Sequence, residues 1–316
     1  MVGAGRRGVP RLRRVPGEDR PGDPGRVGGE EGLSGSRVAV VTGASDGIGA
    51  AAARRLHRDG WQVVVVGRSA DKTAAVADEL EVQGHPEDHR AVERHTVDFA
   101  RLDDVRALAA TLRARHPRID VLANNAGASF PRRSATGDGN ETTFQVDHLA
   151  GYLLTRLLEE PLRAARARVV TTSSFMHRLG PLPRTVTADP PRPYSGMLAY
   201  SRAKTMNALF TRELARRWAP DVTATCYTPG AVATSFGARS GGLSGLAWKL
   251  GLSRSFRTPA QGADTLVWLA TAEDGWRNGG FHADRAPSRA MPWATDDRRA
   301  RSLWDLSADL VDLPRG

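Results

Sequence analysis

Short apolar runs rich in valine alternate with helix-length segments along the chain after Ser34. The first units are a strand at 37–42, a helix at 48–59, a strand at 61–66 and a helix at 70–82. The strand sequences, such as Arg37-Val-Ala-Val-Val-Thr42, are nearly continuous in apolar residues, which is typical of parallel strands covered by helices on both faces. The pattern predicts an α/β fold built on a doubly wound parallel sheet.

The alternation continues to about Cys226, with expected strands at 91–97, 119–124, 168–173 and 221–226 and expected helices at 102–115, 141–158 and 198–218. Two segments break it. The segment 180–196 is rich in proline and is expected to be a long loop over the sheet edge, and the segment 235–257 is rich in glycine and serine. No internal repeat and no second domain boundary follow Ser34, so residues 34–316 are predicted to form a single domain.

The first 33 residues contain many glycines and prolines and no aromatic residue. We interpret residues 1–33 as a disordered N-terminal tail, either solvated or the product of an upstream start codon. A targeting role is the alternative interpretation.

Composition excludes several classes of protein. The single cysteine, Cys226, rules out an intramolecular disulfide framework, and the 8 dispersed histidines predict no metal site. No run approaches the about 18 to 20 apolar residues that span a bilayer, and no apolar secretion signal follows the N-terminal arginines, so we expect a soluble, cytoplasmic protein. The net charge is +10, but the arginines are scattered among acids without interleaved aromatic residues, which predicts no nucleic-acid partner.

A glycine-rich loop, Thr42-Gly-Ala-Ser-Asp-Gly-Ile-Gly49, lies where the first strand turns into the first helix. Glycines allow the backbone to approach a pyrophosphate, and the N-terminus of the helix offers free N–H groups to it. A tight strand-to-helix turn without a ligand is the alternative. The strand before the loop and the helix after it favour dinucleotide binding.

Arg68 follows the second strand, where an NAD-specific site usually has an acid for the ribose 2′-hydroxyl. A guanidinium suits a 2′-phosphate instead, so Arg68 predicts NADP(H) as the cofactor. Asp46 in the glycine loop is a counter-signal because its carboxylate could repel that phosphate. A solvated arginine without a ligand is the alternative interpretation of Arg68.

Tyr200 and Lys204 are four residues apart, which places a phenol and an ammonium on one helical face. A nearby cation lowers the pKa of a tyrosine toward neutrality and makes it a usable acid. Ser173 and Ser174 end the preceding strand, at the edge where open α/β sheets bind ligands.

Four motifs together resemble the short-chain dehydrogenase/reductase family, whose fold is of the Rossmann type. The glycine loop is similar to the family's TGxxxGxG, Asn124-Asn-Ala-Gly127 to its NNAG, Tyr200 to Lys204 to its YxxxK, and Pro229-Gly230 with Thr234 to its loop over the nicotinamide. The resemblance covers about residues 37–272. The chain is most similar to the retinol-dehydrogenase-like branch of the family. The similarity lies in stretches such as Phe144-Gln-Val-Asp-His-Leu149 and in the long insertion between Ser174 and Tyr200.

The resemblance implies catalytic roles for Ser174, Tyr200, Lys204 and Asp147. Tyr200 would exchange a proton with the substrate oxygen as hydride moves to or from the nicotinamide, Lys204 would lower the pKa of Tyr200 and bind the nicotinamide ribose, and Ser174 would hold the substrate oxygen. Asp98 would contact the adenine. The implied cofactor-binding residues are Gly43, Ser45, Asp46, Gly47, Ile48, Gly49, Arg68, Asp98, Phe99, Asn125, Ala126, Gly127, Tyr200, Lys204, Pro229, Gly230, Val232 and Thr234.

One position departs from the family pattern. The family has an asparagine that bends the central helix and supports a water path to the lysine, and the matching residue here is Asp147. An ionised aspartate could pair with Lys204 and weaken its effect on Tyr200. We expect activity with an altered pH profile.

The segment 235–257 occupies the place of the family's mobile substrate lid. It combines apolar residues with cations and suits a bulky apolar or aromatic carbonyl or alcohol, such as a retinal-like, polyketide or steroid-like compound. A membrane-surface helix is the alternative for this segment.

For the whole chain the prediction is NADP(H)-dependent interconversion of a carbonyl and an alcohol, with a weakly catalytic NADPH-binding sensor as the alternative. A homodimer through the helices at 141–158 and 198–218 is an open possibility, because the branch is not uniform in pairing.

Overall fold

Successive residues of the central strands are buried on opposite faces of one sheet. In the strand Val38–Thr42, Val38 and Val40 pack in one hydrophobic cluster, whereas Ala39 and Val41 pack in another. The valines of the strand Gln62–Gly67 divide between the two clusters in the same way. Each face therefore needs its own apolar residues, which explains the continuous apolar runs in the sequence.

The structure is a computed structural model that describes Met1, Gly3 and residues 37–83, 92–232 and 256–316. The strands within these residues are β1 (Val38–Thr42), β2 (Gln62–Gly67), β3 (Glu93–Thr96), β4 (Val121–Asn124), β5 (Arg168–Thr172), β6 (Thr223–Tyr227), β7 (Phe281–Ala283) and β8 (Ala286–Ser288). They form one sheet in the order β3-β2-β1-β4-β5-β6-β7-β8. All neighbours pair in parallel except β8, which turns back antiparallel on β7.

Helices cover both faces of this sheet. They are α1 (Gly47–Arg58), α2 (Ala70–Gln83), α3 (Leu102–Arg115), α4 (Thr142–Phe144), α5 (Ala150–Leu157), α6 (Glu159–Ala164), α7 (Gly196–Trp218), α8 (Pro259–Thr271) and α9 (Asp297–Leu310). Side chains of α1, α2 and α8 pack in the cluster on one face, and side chains of α3, α5, α7 and α9 pack in the cluster on the other. The predicted doubly wound α/β architecture is confirmed, and residues 36–316 form one compact unit.

The helix predicted at 141–158 is interrupted. A π-helical turn, Gln145–Leu149, separates α4 from α5. The Asn207 side chain donates from Nδ2 to the carbonyl oxygens of Asp147 (3.0 Å) and Thr172 (3.1 Å), so a side chain of α7 binds a main-chain acceptor within the turn. π turns inside helices are frequent at functional sites.

The proline-rich segment 180–196 is irregular up to the start of α7, as predicted. It packs against α9, because Arg299 Nε donates to the Leu182 carbonyl oxygen (2.9 Å) and Val186 N donates to Ser302 Oγ (3.0 Å). Helix α9 also covers part of the surface of α5 and α7, where Trp304 makes an edge contact with the buried Tyr152 at 5.1 Å between ring centroids. That part of the two helices is therefore occupied within the chain. Residues 4–33 of the predicted tail and 235–255 of the predicted lid lie outside the described residues.

Candidate active site

The predicted site residues follow the carboxyl ends of six parallel strands. The glycine loop follows β1, Arg68 follows β2, Asp98 follows β3, Asn125 follows β4, Ser174 follows β5 and Pro229 follows β6. Parallel pairing brings all of these strand ends to one edge of the sheet. The strand order reverses between β1 and β4, where open sheets of this kind form a crevice at that edge.

The glycine loop has a backbone that only glycine adopts easily. Gly43 and Gly47 have positive φ angles of 65° and 55°. A Cβ atom on Gly49 would lie 2.3 Å from the Gly43 carbonyl oxygen, so the loop folds too tightly for a side chain there. Asp46 caps α1 by accepting from Gly47 N at 2.7 Å, and Ile48 lies in the first turn of the helix.

Asn125 and Thr42 lock the loops after β1 and β4 together. Asn125 Nδ2 donates to the Thr42 carbonyl oxygen at 3.0 Å, and Thr42 Oγ1 accepts from the main-chain N of Asn125 (3.0 Å) and Ala126 (3.1 Å). On the other side, Thr172 Oγ1 donates to Asn125 Oδ1 at 3.2 Å. The NNAG segment therefore fixes the glycine loop against the sheet.

Arg68 lies exposed at the end of β2, as an arginine that contacts a cofactor phosphate requires. The structure adds a second cation, which the sequence reasoning missed. Lys72, in the first turn of α2, holds its Nζ 2.9 Å from Asp46 Oδ2. Lys72 offsets the negative charge of Asp46, which was the counter-signal to a 2′-phosphate. Ser45 lies against Gly67, where a Cβ atom would come within 2.6 Å of the serine Cβ.

Ser174, Tyr200 and Lys204 come together at the carboxyl ends of β5 and β6. The Ser174 side chain lies close enough to Tyr200 to lower the pKa of the phenol, and Lys204 Nζ lies 5.2 Å from the centroid of the Tyr200 ring. Ser174 Oγ also accepts from Met176 N at 3.2 Å. Ser173 does not share this position, because its Oγ donates to the Lys204 carbonyl oxygen at 2.7 Å. The second serine of the pair is the one beside the phenol, and it is also the serine to which the family resemblance gives the catalytic role.

Asp147 reaches the same group from the π turn. Its Oδ2 lies 3.4 Å from Lys204 Nζ, with both side chains buried, and its Oδ1 accepts from Ala128 N at 2.7 Å. Gly127 leaves room for the pair, since a Cβ atom there would lie 3.0 Å from Lys204 Nζ. The expected pairing of Asp147 with Lys204 is present in the structure.

The pKa values of Tyr200 and Lys204 both differ from the ordinary values of these side chains. The expected lowering of the Tyr200 pKa toward neutrality is wrong, because burial raises that pKa above its ordinary value; Lys204 opposes the rise, Asp147 adds to it, and Ser174 opposes it. Burial alone would lower the pKa of Lys204, but the Asp147 carboxylate raises it above the ordinary value. Tyr200 is therefore a protonated phenol and Lys204 a cation at neutral pH.

A buried histidine, which sequence reasoning did not single out, fixes the turn that carries Ser174. His177 Nδ1 donates to the Ser174 carbonyl oxygen (2.7 Å), and its Nε2 accepts from Met291 N (3.3 Å). The His177 carbonyl oxygen accepts from Trp293 Nε1 (3.1 Å) and from Thr205 Oγ1 (3.1 Å), next to Lys204. Burial lowers the pKa of His177, and the contact of Nε2 with an N–H group requires the neutral ring.

The remaining predicted residues follow β3 and β6. Asp98 is partly buried and accepts from Ala100 N at 3.0 Å, whereas the Phe99 side chain packs in the core. Gly230 has a positive φ of 77°, and Arg257 Nη1 donates to the Pro229 carbonyl oxygen at 3.3 Å. Val232 pairs with Arg257 in an isolated bridge. Thr234 lies outside the described residues.

No cluster of three or more His, Cys, Asp or Glu side chains suited to a metal occurs in the described part of the chain. The helices of that part are all too short or too polar to cross a bilayer.

Comparison with known proteins identifies the family. The sequence model of the short chain dehydrogenase family matches residues 37–241. A Streptomyces sp. (strain C5) protein assigned the name daunorubicin C-13 ketoreductase is 42% identical over 277 residues, which are 87% of this chain and 92% of that protein. Mouse retinol dehydrogenase 14 is 35% identical over 300 residues, 90% of this chain and 89% of the relative.

Solved structures agree in fold. A protein of Mycobacterium paratuberculosis, 29% identical, superposes with a TM-score of 0.69 over 90% of this chain and 96% of the other. A Beutenbergia cavernae protein assigned as an NAD(P)-dependent gluconate 5-dehydrogenase, 27% identical, has a TM-score of 0.62 over 78% of this chain and 93% of the other, and its crystals contain NADP at low occupancy.

The chain belongs to the short chain dehydrogenase family, within its retinol-dehydrogenase-like branch. It is therefore an oxidoreductase of the class that uses a nicotinamide dinucleotide, with a single Rossmann-type domain.

Proposed function

We propose that the chain is an NADP(H)-dependent oxidoreductase that interconverts a carbonyl and an alcohol on a bulky apolar or aromatic substrate, and that reduction is its main direction. The observation that carries this proposal is the contact of Ser174 with a protonated Tyr200 phenol beside the Lys204 cation. These groups form a proton donor next to a second hydroxyl that can hold the same substrate oxygen.

The shape of the glycine loop supports binding of a dinucleotide. Gly43 and Gly47 have positive φ angles, and Gly49 has no room for a side chain, so the main chain of the loop is bare beside the N-terminus of α1. Main-chain N–H groups at a helix N-terminus favour a pyrophosphate. Arg68 after β2 and Lys72 in the first turn of α2 favour NADP(H) over NAD(H), because Arg68 can offer a positive charge to a 2′-phosphate and Lys72 offsets the charge of Asp46.

When bound, the nicotinamide supplies or accepts the hydride at the substrate carbon. In reduction, Ser174 Oγ holds the carbonyl oxygen and Tyr200 donates its phenolic proton to that oxygen. Lys204 stabilises the phenolate that remains, and its charge is retained because Asp147 raises its pKa. In oxidation the same groups act in reverse, with the Tyr200 phenolate as the base.

The raised pKa makes Tyr200 a weaker acid than the sequence predicts, but it keeps the phenol protonated at neutral pH, and that protonation state fits reduction. A phenol that stays protonated at neutral pH is ready to donate a proton, whereas alcohol oxidation needs the phenolate.

Two exposed apolar side chains support the substrate class. Phe175 follows Ser174 directly and is 49% exposed, and Met197 lies one helical turn before Tyr200 and is 61% exposed. Large exposed apolar side chains next to the reacting hydroxyls favour an apolar substrate. The names of the relatives, a daunorubicin C-13 ketoreductase and a retinol dehydrogenase, agree with that class.

Asp147 supports one alternative, in which the chain binds NADPH as a sensor and has little turnover. The carboxylate takes part of the Lys204 charge that would otherwise act on Tyr200. Replacing Tyr200 separates the two functions. For an enzyme, Tyr200→Phe abolishes carbonyl-dependent NADPH oxidation and leaves the Kd for NADPH unchanged. For a sensor, the substitution changes neither quantity, and that result would overturn the proposed function.

A further inference from the structure

A small cavity lies on a face of α7 that the proposed chemistry does not use. Its wall is formed by Glu141 and Phe144 at the start of the π-interrupted helix, by Pro190 of the irregular segment, and by α7. Its volume is about 10 Å³, which accepts one atom or group about the size of a water molecule. None of the predicted catalytic or cofactor-binding residues lines it.

Arg202 is the only cation in the wall of this cavity among the described residues. It belongs to a stripe of α7 with Ala199, Ala203 and Met206, at spacings of three, four and seven residues that put them on one helical face. Its side chain is buried, with only 7% of the residue exposed.

The guanidinium has no polar partner within the described residues. Arg202 Nε is closed to solvent and makes no hydrogen bond there, and no described carboxylate comes within the 4.0 Å of an ion pair. Most other buried or half-buried arginines are paired, as Arg217 is with Glu213 at 2.7 Å. Burial lowers the pKa of Arg202, but a guanidinium does not lose its proton in a protein. Arg202 therefore leaves one donor, its Nε–H group, buried and unpaired in a side chain that lines a cavity, and this costs free energy unless an acceptor such as an anion joins it.

Glu141 does not supply that anion, although it lines the same cavity. Its carboxylate accepts from Thr143 N (3.0 Å), Phe144 N (2.9 Å) and the Tyr194 hydroxyl (3.2 Å). These three donors fix the carboxylate at the N-terminus of α4. Its negative charge in the wall disfavours a dianion such as sulfate and leaves a monovalent anion as the fitting ligand.

We propose that Arg202 and this cavity form a binding site for a small monovalent anion, either a halide or one oxygen of a formate-sized carboxylate. The size of the cavity sets the size of the ligand, and the unpaired guanidinium sets its charge. The site is separate from the redox site but lies on the helix that carries Tyr200 and Lys204, so an anion bound there stabilises that helix in its folded position.

Thermal unfolding in exchanged anions tests the proposal on the intact protein. Sodium gluconate, whose anion is too large for the cavity, is replaced stepwise by sodium chloride or by sodium formate at constant ionic strength. A bound anion raises the Tm in proportion to the logarithm of its concentration above the Kd. We expect this rise in the wild-type protein and in the control Arg301→Gln, which removes an exposed arginine of α9, and we expect no rise in Arg202→Gln.

The anion that raises the Tm identifies the class of ligand. A rise in Tm with chloride alone indicates a halide site, and a rise in Tm with formate indicates a carboxylate site. Equal Tm values in all three salts, or an equal rise in Arg202→Gln, would overturn the proposal. If Arg202→Gln does not fold, wild-type crystals soaked in bromide and in formate decide the question. An anomalous bromide peak or formate density beside the Arg202 guanidinium supports the site, and the absence of both contradicts it. Neither measurement uses turnover, so the outcome is independent of the proposed function.

Discussion

Lys204 Nζ lies 3.4 Å from Asp147 Oδ2, and neither side chain is open to solvent. The Asp147 carboxylate stands where the family has a neutral amide. Lys204, which is expected to act on Tyr200, therefore also pairs with an anion. Gly127 makes this approach possible, because a Cβ atom there would lie 3.2 Å from Asp147 Oδ1 and 3.0 Å from Lys204 Nζ.

Asp147→Asn is expected to move the pH dependence of the reaction to lower pH. Burial raises the pKa of Tyr200 and the Asp147 carboxylate adds to the rise, so removal of that charge lowers the pKa. Reduction needs the protonated phenol and is lost as the pH rises through this pKa. The alkaline limb of kcat for NADPH-dependent reduction therefore shifts to lower pH, and alcohol oxidation begins at lower pH.

The amide keeps an oxygen for the Ala128 N–H group, so the fold of the turn is retained in this variant. Asp71→Asn, which neutralises an exposed carboxylate in α2, is the control and leaves both limbs in place. An unchanged alkaline limb in Asp147→Asn would show that the carboxylate does not act on Tyr200.

Arg68→Ala is expected to weaken the binding of NADPH but not that of NADH. Loss of charge-assisted hydrogen bonds to a 2′-phosphate costs about 1.5 to 3 kcal/mol, or about 10- to 100-fold in Kd. NADH has no such phosphate, so its Kd changes little. Fluorescence titration with both cofactors measures the ratio, and a parallel loss for NADH and NADPH would place Arg68 outside the phosphate site.

Lys72→Met is expected to weaken the binding of NADPH through its effect on Asp46. Without the ammonium, the Asp46 carboxylate that it holds at 2.9 Å is left to repel the 2′-phosphate. The second substitution Asp46→Asn then restores NADPH affinity in the Lys72→Met background. A double-mutant cycle on the Kd for NADPH measures this coupling, and additive effects would contradict it.

Two substitutions of His177 separate its contacts. Asn reproduces the donor at Nδ1 that holds the Ser174 carbonyl oxygen, whereas Gln reproduces the acceptor at Nε2 that meets Met291 N. Both lose the ring contact with Phe281, at 4.7 Å between centroids, and both lower the free energy of unfolding by about 1 to 3 kcal/mol. We expect His177→Asn to retain the larger kcat, because only that variant holds the turn of Ser174. Equal kcat values in the two variants would show that His177 acts only through packing and does not position Ser174.

Much of this site could be predicted because its signals are local in sequence. The glycine loop, the pair Tyr200 and Lys204, and the valine runs each lie within one or two elements, so spacing alone places them on a turn, a helix face or a strand. Helix α8 carried such a signal that was overlooked, since Thr258 and Gln261 form a capping box with Pro259 in the first turn.

The rest depends on contacts between distant parts of the chain. His177 meets Met291 at a separation of 114 residues, and Asn207 binds the π turn 60 residues before it. Neither residue type has a periodic or spacing signature, and the burial of Arg202 without a partner follows only from how α7 packs against the segment 180–196. Tertiary packing decides these features.

The most direct test of the central claim is a single titration of the purified protein with NADPH and NADH, followed by steady-state NADPH oxidation with a panel of apolar aldehydes and ketones. The proposed function predicts tighter binding of NADPH than of NADH and carbonyl-dependent oxidation of NADPH by at least one apolar substrate. Tight NADPH binding without turnover of any member of a panel that includes retinal-like, polyketide-like and steroid-like carbonyls would contradict it.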